Sequence, residues 1–96
     1  MTDGPIGRIR SRVRGGRYRF TEHALDEMGE DGLSSVEVEQ SVLSGRVVRI
    51  QWDEHGRKRY TIEGQSLGGR QVRTVCRYDD LGGRVVVITV YEIGEG

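Results

Sequence analysis

The chain is short of the residues that several common chemistries require. Its one cysteine, Cys76, excludes an internal disulfide and suits a reducing compartment. Cys76 falls in an alternating apolar stretch, where a buried, inert thiol is expected. The two histidines, His23 and His55, are well separated, and with a single cysteine they form no spaced ligand cluster for a metal. No Walker lysine follows the glycine-rich stretches, and no serine sits in a nucleophile elbow. Asp79-Asp80 precedes a glycine pair and reads as turn chemistry, not as a catalytic carboxylate pair. The longest aliphatic run, Val85-Val86-Val87-Ile88, is far too short to span a bilayer. Met1-Thr2-Asp3-Gly4-Pro5 lacks the apolar stretch of a signal peptide. A cytoplasmic protein with no cofactor, no metal and no membrane partner is the expectation. Formal net charge is zero, so bulk charge points to no partner either.

What is present is arginine, unevenly placed. All but one of the 15 basic residues are arginines, Lys58 being the exception. A GC-rich genome produces that bias, and so does selection for the planar forks that only arginine offers to phosphate. Arg8, Arg10, Arg12, Arg14, Arg17 and Arg19 crowd the front end with no acid among them. The acids gather later, from Glu22 to Glu39. Such a front end suits nucleic acid or an acidic protein partner.

A length of 96 residues predicts a single domain, 1–96, with one small core. Residues 1–16 read as a basic N-terminal helix, since Ile6, Ile9 and Val13 recur at helical spacing before Gly15-Gly16. Tyr18-Arg19-Phe20 reads as a brief extended link. Thr21 is the expected N-cap of a second helix that stops before Gly32, with Ala24, Leu25 and Met28 as its apolar stripe. Ser34-Ser35-Val36-Glu37 matches a capping box, and Val38, Val42 and Leu43 face inward before Gly45 ends the third helix.

After Gly45 the period changes to two. Strands are predicted over Val47–Trp52, Arg57–Glu63, Arg70–Tyr78 and Arg84–Glu92. Val48, Ile50, Trp52, Tyr60, Ile62, Val72, Thr74 and Cys76 would point inward. Turns are expected at Asp53-Glu54-His55-Gly56, at Gly64 to Gly69 and at Asp79-Asp80-Leu81-Gly82-Gly83. The near-continuous apolar run of the last strand suggests a central position buried on both faces. Helices first and strands after is the α+β order. The expected architecture is N-terminal helices packed on one face of a four-stranded antiparallel sheet. The ends, including Gly94-Glu95-Gly96, are expected to be loose.

The alternation has a functional consequence. Residues between the inward ones, Arg49, Gln51, Arg57, Arg59, Arg73 and Arg77, would share the opposite sheet face. That face either holds a polyanionic backbone or is simply solvated, with its arginines paired to acids such as Glu63 and Asp79. His23 is the other candidate. It lies in the first turn of the second helix, where backbone N–H groups point outward and the dipole is positive. Such a helix end attracts anions and favours a neutral imidazole, the form a general base needs. The plain alternative is a polar residue at a helix start.

His23-Ala24 with Met28, Gly32-Leu33-Ser34, Val38-Glu39, Val42-Leu43 before Gly45, and Ile88-Thr89-Val90-Tyr91 occur in an order and spacing that resemble a family of small bacterial proteins. That family is the domain-of-unknown-function 4258 family, and the resemblance covers about residues 17–92. The family in turn resembles small endoribonuclease toxins of the RelE and colicin D type, often paired with an antitoxin. The resemblance implies a helix-plus-four-strand domain that cuts RNA without metal. It implies His23 as general acid or base, and Thr89 and Tyr91 as polar groups at the cleft. Glu27 stands where the family usually has arginine, which removes a phosphate contact. Arg73 stands where a histidine is frequent, and supplies one.

The residues present suit that chemistry. Metal-free RNA cleavage needs a base for the 2′-hydroxyl proton, cations on the phosphoryl oxygens and an acid for the 5′-oxygen. His23 can be the base, Arg73 with Arg59 or Arg77 can steady the phosphate, Arg57 can add a contact, and Tyr91 can position the scissile group. A toxin needs an inhibitor, and the segment carrying Arg8, Arg10, Arg12 and Arg14 is the expected docking element for an antitoxin. Trp52, Tyr60 and Tyr78 are the candidate base platforms, and their inward parity argues against a pure base-stacking reader. The competing readings are a non-catalytic module binding protein or nucleic acid through the arginine face, and an inactive relative kept as a structural subunit.

Overall fold

The computed structural model of the chain describes residues 4–79, 81 and 83–94. The expected features at Met1 to Asp3, Asp80, Gly82, Glu95 and Gly96 lie outside the described residues. Helix α1 spans Pro5–Arg14, β1 Tyr18–Phe20, α2 Glu22–Asp31, α3 Ser35–Ser44, β2 Arg46–Trp52, β3 Lys58–Gln65, β4 Gln71–Tyr78 and β5 Val85–Glu92. Each helix is delimited by its own chemistry. Pro5 opens α1, where a missing N–H costs nothing, and Gly15 follows it. Thr21 Oγ1 accepts the Ala24 N–H at 3.1 Å, and Gly32 closes α2 in the left-handed conformation at φ 66°. Ser34 and Glu37 cap α3 reciprocally, each side chain accepting the other's backbone N–H.

The sheet order is β1-β5-β4-β3-β2. Strands β2 to β5 run antiparallel as expected, and no helix interrupts residues 57–78. The sheet is nevertheless five-stranded and mixed, not four-stranded and antiparallel. Tyr18–Phe20, read as a link, pairs parallel with β5, Tyr18 beside Val85 and Phe20 beside Val87. Three residues carry too little alternation to announce a strand. A parallel partner so distant in sequence also leaves no hairpin signal. The ladder forms because β5 returns beside this segment, and it extends through the Val85 N–H to Arg17 O and the Thr21 N–H to Val87 O. Val85, Val86 and Val87 are accordingly buried, as their apolar run predicted.

All the helices lie on one side. Ala24, Met28, Leu33 and Val38 pack on Val72, Val87 and Val90. Ile9, Val13 and Val42 pack with Tyr60, Ile62, Cys76 and Val85. Burial pushes the Cys76 thiol up to about 12, so it is an inert core residue. Helix α3 meets β3 backbone to backbone. A Cβ on Gly45 would come within 2.6 Å of the Ser41 and Glu63 carbonyl oxygens, and one on Gly64 would overlap Ser41 O outright.

Some residues expected inside are not. Leu25 is half exposed, turned away from the stripe that Ala24 and Met28 form. Val48, Ile50 and Trp52 are 41%, 47% and 66% exposed. A register shift between Val47 and Arg49 displaces Val48, and Val47 takes the core position opposite Ile62. Ile50 and Trp52 keep the inward parity, but β2 is the outermost strand and α3 covers β3 and β4 instead.

Arg70, just before β4, ties the layers together. Its guanidinium donates to Gly32 O at 2.9 Å, to the carbonyl of Asp31, to Glu37 and to Glu92 Oε1 at 2.7 Å. Glu37 is held below the usual carboxylate range, first by its capping bond from Ser34 N–H and then by Arg70. A lowered folded pKa stabilises above the unfolded value and is lost as pH falls through the folded one. Arg70→Met should therefore lower the melting temperature at neutral pH, and the gap to wild type should narrow as pH falls through the carboxylate range. A gap that is constant with pH would mean the Arg70–carboxylate contacts contribute nothing.

Candidate nucleic-acid interface and the His23 corner

With one sheet face under the helices, parity assigns the other. Register places Arg46, Arg49 and Gln51 of β2 beside Glu63, Thr61 and Arg59 of β3 on that open face. Glu63 lies beside Arg73, which lies beside Tyr91, and Val75 beside Thr89. Arg77 and Arg19 flank Val86 from either side. Val86 is fully buried although no helix among the described residues covers this face, and Thr61 is 8% exposed. Arginines stand beside both, Arg19 and Arg77 next to Val86 and Arg49 next to Thr61. Arg19, Arg46, Arg49, Arg59, Arg73 and Arg77 thus share a face with Glu63, and with Asp53 at its margin. Arg57 departs from the expectation. It precedes β3 in the turn and lines a hollow of about 390 Å³ with Trp52, Lys58, Tyr60, Tyr78 and Asp79.

The centre of the face is ordered by hydrogen bonds. Arg73 Nε donates to Glu63 Oε2 at 2.7 Å, and Nη1 donates to Tyr91 Oη at 3.0 Å. Its guanidinium also lies 5.7 Å from the Tyr91 ring centroid. The Tyr91 hydroxyl and then the Glu63 carboxylate raise the Arg73 pKa above its ordinary value. Arg59 Nε is 3.8 Å from Asp53 Oδ2, and Arg77 Nη1 donates to Tyr78 O at 3.0 Å.

His23 occupies the start of α2, as expected, with its side chain 65% exposed. Its Nε2 is 3.4 Å from Glu27 Oε1, one helical turn on. The same Glu27 oxygen accepts the Val90 N–H at 3.1 Å. Thr21 Oγ1 donates to Ile88 O at 3.1 Å, and Asp31 Oδ2 accepts the Glu92 N–H at 2.9 Å. Among the described residues no strand pairs with this edge of β5 beyond Phe20, and side chains of α2 and its N-cap satisfy it. In the sequence Glu27 stands out only as the acid in place of a phosphate-binding arginine; in the fold it tethers helix to strand. Neither Asp31 nor the strand-facing bond of Thr21 is foreshadowed in the sequence pattern. Only the i, i+4 spacing of His23 and Glu27 is visible there.

Of the residues singled out, Arg73, Tyr91 and Glu63 meet, and Thr89 lies near them on the same face. His23 meets Glu27, whose partner Val90 stands between Thr89 and Tyr91 in the chain. Among the described residues no hydrogen bond or ion pair joins His23 to Arg73, Thr89 or Tyr91. The front-end arginines are partly committed to the fold. Arg10 Nη2 donates to Gly45 O at 2.6 Å, and the Arg12 guanidinium sits 4.9 Å from the Tyr78 ring centroid. Arg8 and Arg14 are exposed. Among the described residues no three His, Cys, Asp or Glu side chains gather as a metal site, and no helix is long and apolar enough to cross a membrane.

The molecule is thus an α+β domain with one helical face and one arginine-bearing sheet face. The family described as a domain of unknown function, DUF4258, matches residues 20–92, and the chain belongs to it. The matched span runs from the His23 corner to the end of β5 and leaves out α1. Comparison with curated proteins and with solved structures gives no match.

Proposed function

We propose that the protein is a metal-independent endoribonuclease, the cytoplasmic toxin of a toxin–antitoxin pair. The observation that carries this reading is the open sheet face, where arginines surround the Arg73–Tyr91 pair beside an edge bearing an exposed histidine. The resemblance to RelE- and colicin D-type toxins read from the sequence motifs is part of this proposal. The arginines Arg59, Arg73 and Arg77 hold phosphates of a single strand, and Thr89 and Tyr91 position the scissile group. His23 takes the 2′-hydroxyl proton. The 2′-oxygen bonds to phosphorus, the bond to the 5′-oxygen breaks, and the imidazolium returns the proton to that leaving oxygen. The products are a 2′,3′-cyclic phosphate and a 5′-hydroxyl. An antitoxin docks on the exposed Arg8 and Arg14 side of α1, since Arg10 and Arg12 are engaged with the domain itself.

A second reading is a binding module without catalysis. It is favoured by the engagement of Arg73 with Glu63 and by the lack of a contact from His23 to the Arg73–Tyr91 pair. Both readings place RNA on the same face, so its electrostatics come first. Replacing Arg73 and Arg77 together with glutamine should weaken binding of single-stranded RNA at low salt. It should also reduce the slope of log affinity against log salt by up to about 1.4, roughly 0.7 for each phosphate no longer neutralised. Unchanged affinity and slope would return these arginines to solvation and remove the basis of both readings.

A further inference from the structure

The two edges of the sheet are treated differently. The β5 edge is sealed by Thr21, Glu27 and Asp31. Among the described residues no side chain seals the β2 edge in this way, although α1 approaches its start, with Arg10 donating to Gly45 O. Among the described residues β2 pairs with β3 alone, and antiparallel pairing uses alternate residues, so beyond the shift at Val47–Arg49 the alternate N–H and C=O groups up to Trp52 face outward. Free edges are normally blunted by charge, proline or short length. This one carries Arg46, Arg49 and a register shift after Val47, yet it runs seven residues and exposes Val48, Ile50 and Trp52.

We infer that β2 is a docking edge for an extended protein segment in which acidic and apolar residues alternate. A strand added beside β2 presents alternate side chains to the two sheet faces. Those on the helix side lie next to Ile50 and Trp52, the latter at the rim of the hollow that Arg57, Lys58, Tyr60, Tyr78 and Asp79 complete. Those on the open side lie next to Arg46 and Arg49, where only acids are favourable. Lys58, stacked 5.2 Å from the Trp52 ring centroid, adds positive charge at the far end. The same charge argues against a second copy of this chain. Edge-to-edge pairing about a two-fold axis would merge two arginine-bearing faces into one.

Trp52 is the sole tryptophan, so its emission reports this edge directly. The probe is an end-blocked peptide, Glu-Val-Glu-Ile-Glu-Val-Glu, titrated into the full chain. It should shift Trp52 emission to the blue saturably and move the amide resonances of Arg46 to Trp52 but not those of β5. Lysine in place of each glutamate should abolish binding. Grouping the valines and isoleucine at one end should weaken it, because alternation is broken. Arg49→Glu should weaken the acidic peptide by roughly tenfold or more, and Ile50→Lys, at a half-exposed position, should do the same without unfolding the chain. The inference fails if the alternating peptide leaves Trp52 and the β2 amides unchanged, or if the grouped peptide binds equally well. It also fails if the chain self-associates with Trp52 buried, or if single-stranded RNA alone reproduces the shift.

Discussion

Gly64→Ala should cost more than about 3 kcal/mol, a large share of the roughly 5–15 kcal/mol that holds a domain of this size together. The cause is the absence of room. The new methyl group would overlap the carbonyl oxygen of Ser41, and the nearest atoms are main chain, not the ends of movable side chains. Either α3 lifts from β3, opening the contacts of Val42 with Ile62, or the strand bends away from β4. At roughly 4–8 °C per kcal/mol, the melting temperature should drop by about 12 °C or more. Gly29→Ala is the control. Its Cβ meets nothing and alanine favours a helix interior, so it should be neutral or stabilising. Melting of Gly64→Ala close to wild type would mean that α3 does not approach β3 as described.

His23→Ala should reduce RNA cleavage by about a hundred- to ten-thousand-fold, the usual loss when one proton-transfer group is removed. The side chain is mostly exposed and its contact is with Glu27, so the fold should survive. His55→Ala, in the turn after β2, should leave cleavage unchanged. Glu27→Gln separates chemistry from scaffold. Its amide oxygen can still accept the Val90 N–H, while the carboxylate beside His23 is gone. Full activity in His23→Ala, with the melting temperature unaltered, would make His23 a polar residue at a helix start.

The local devices of this fold were readable because they are local. Thr21, Ser34 with Glu37, Gly32 and Gly45 mark helix ends through bonds within a few residues, and each acts where its pattern indicated. The alternation of β4 likewise set the open face, since Val72, Thr74 and Cys76 are buried in turn and fix the parity of Arg73 and Arg77. In β3, by contrast, Thr61 is buried between Tyr60 and Ile62, and the parity of Arg59 follows from its pairing. What the pattern did not carry was anything decided across the chain. The pairing of Tyr18–Phe20 with β5 depends on where β5 returns. The exposure of Ile50 and Trp52 depends on β2 being outermost, and that of Val48 on a one-residue shift against β3. Glu27 and Asp31 read as surface acids on a helix, and only the neighbouring free edge of β5 gives them backbone partners. The expected site splits on the same principle. Arg73 and Tyr91 share a sheet register and meet, whereas His23 arrives from a helix and reaches β5 only through Glu27.

The decisive measurement is cleavage by the purified full chain, free of any partner, of naked and ribosome-bound RNA in the presence of EDTA, with the product ends identified. The proposed mechanism predicts cutting that EDTA does not slow, fragments ending in 2′,3′-cyclic phosphate with 5′-hydroxyl partners, and loss of that activity in His23→Ala. RNA left intact in both forms, or cut only when metal is supplied and with 3′-hydroxyl ends, would contradict it.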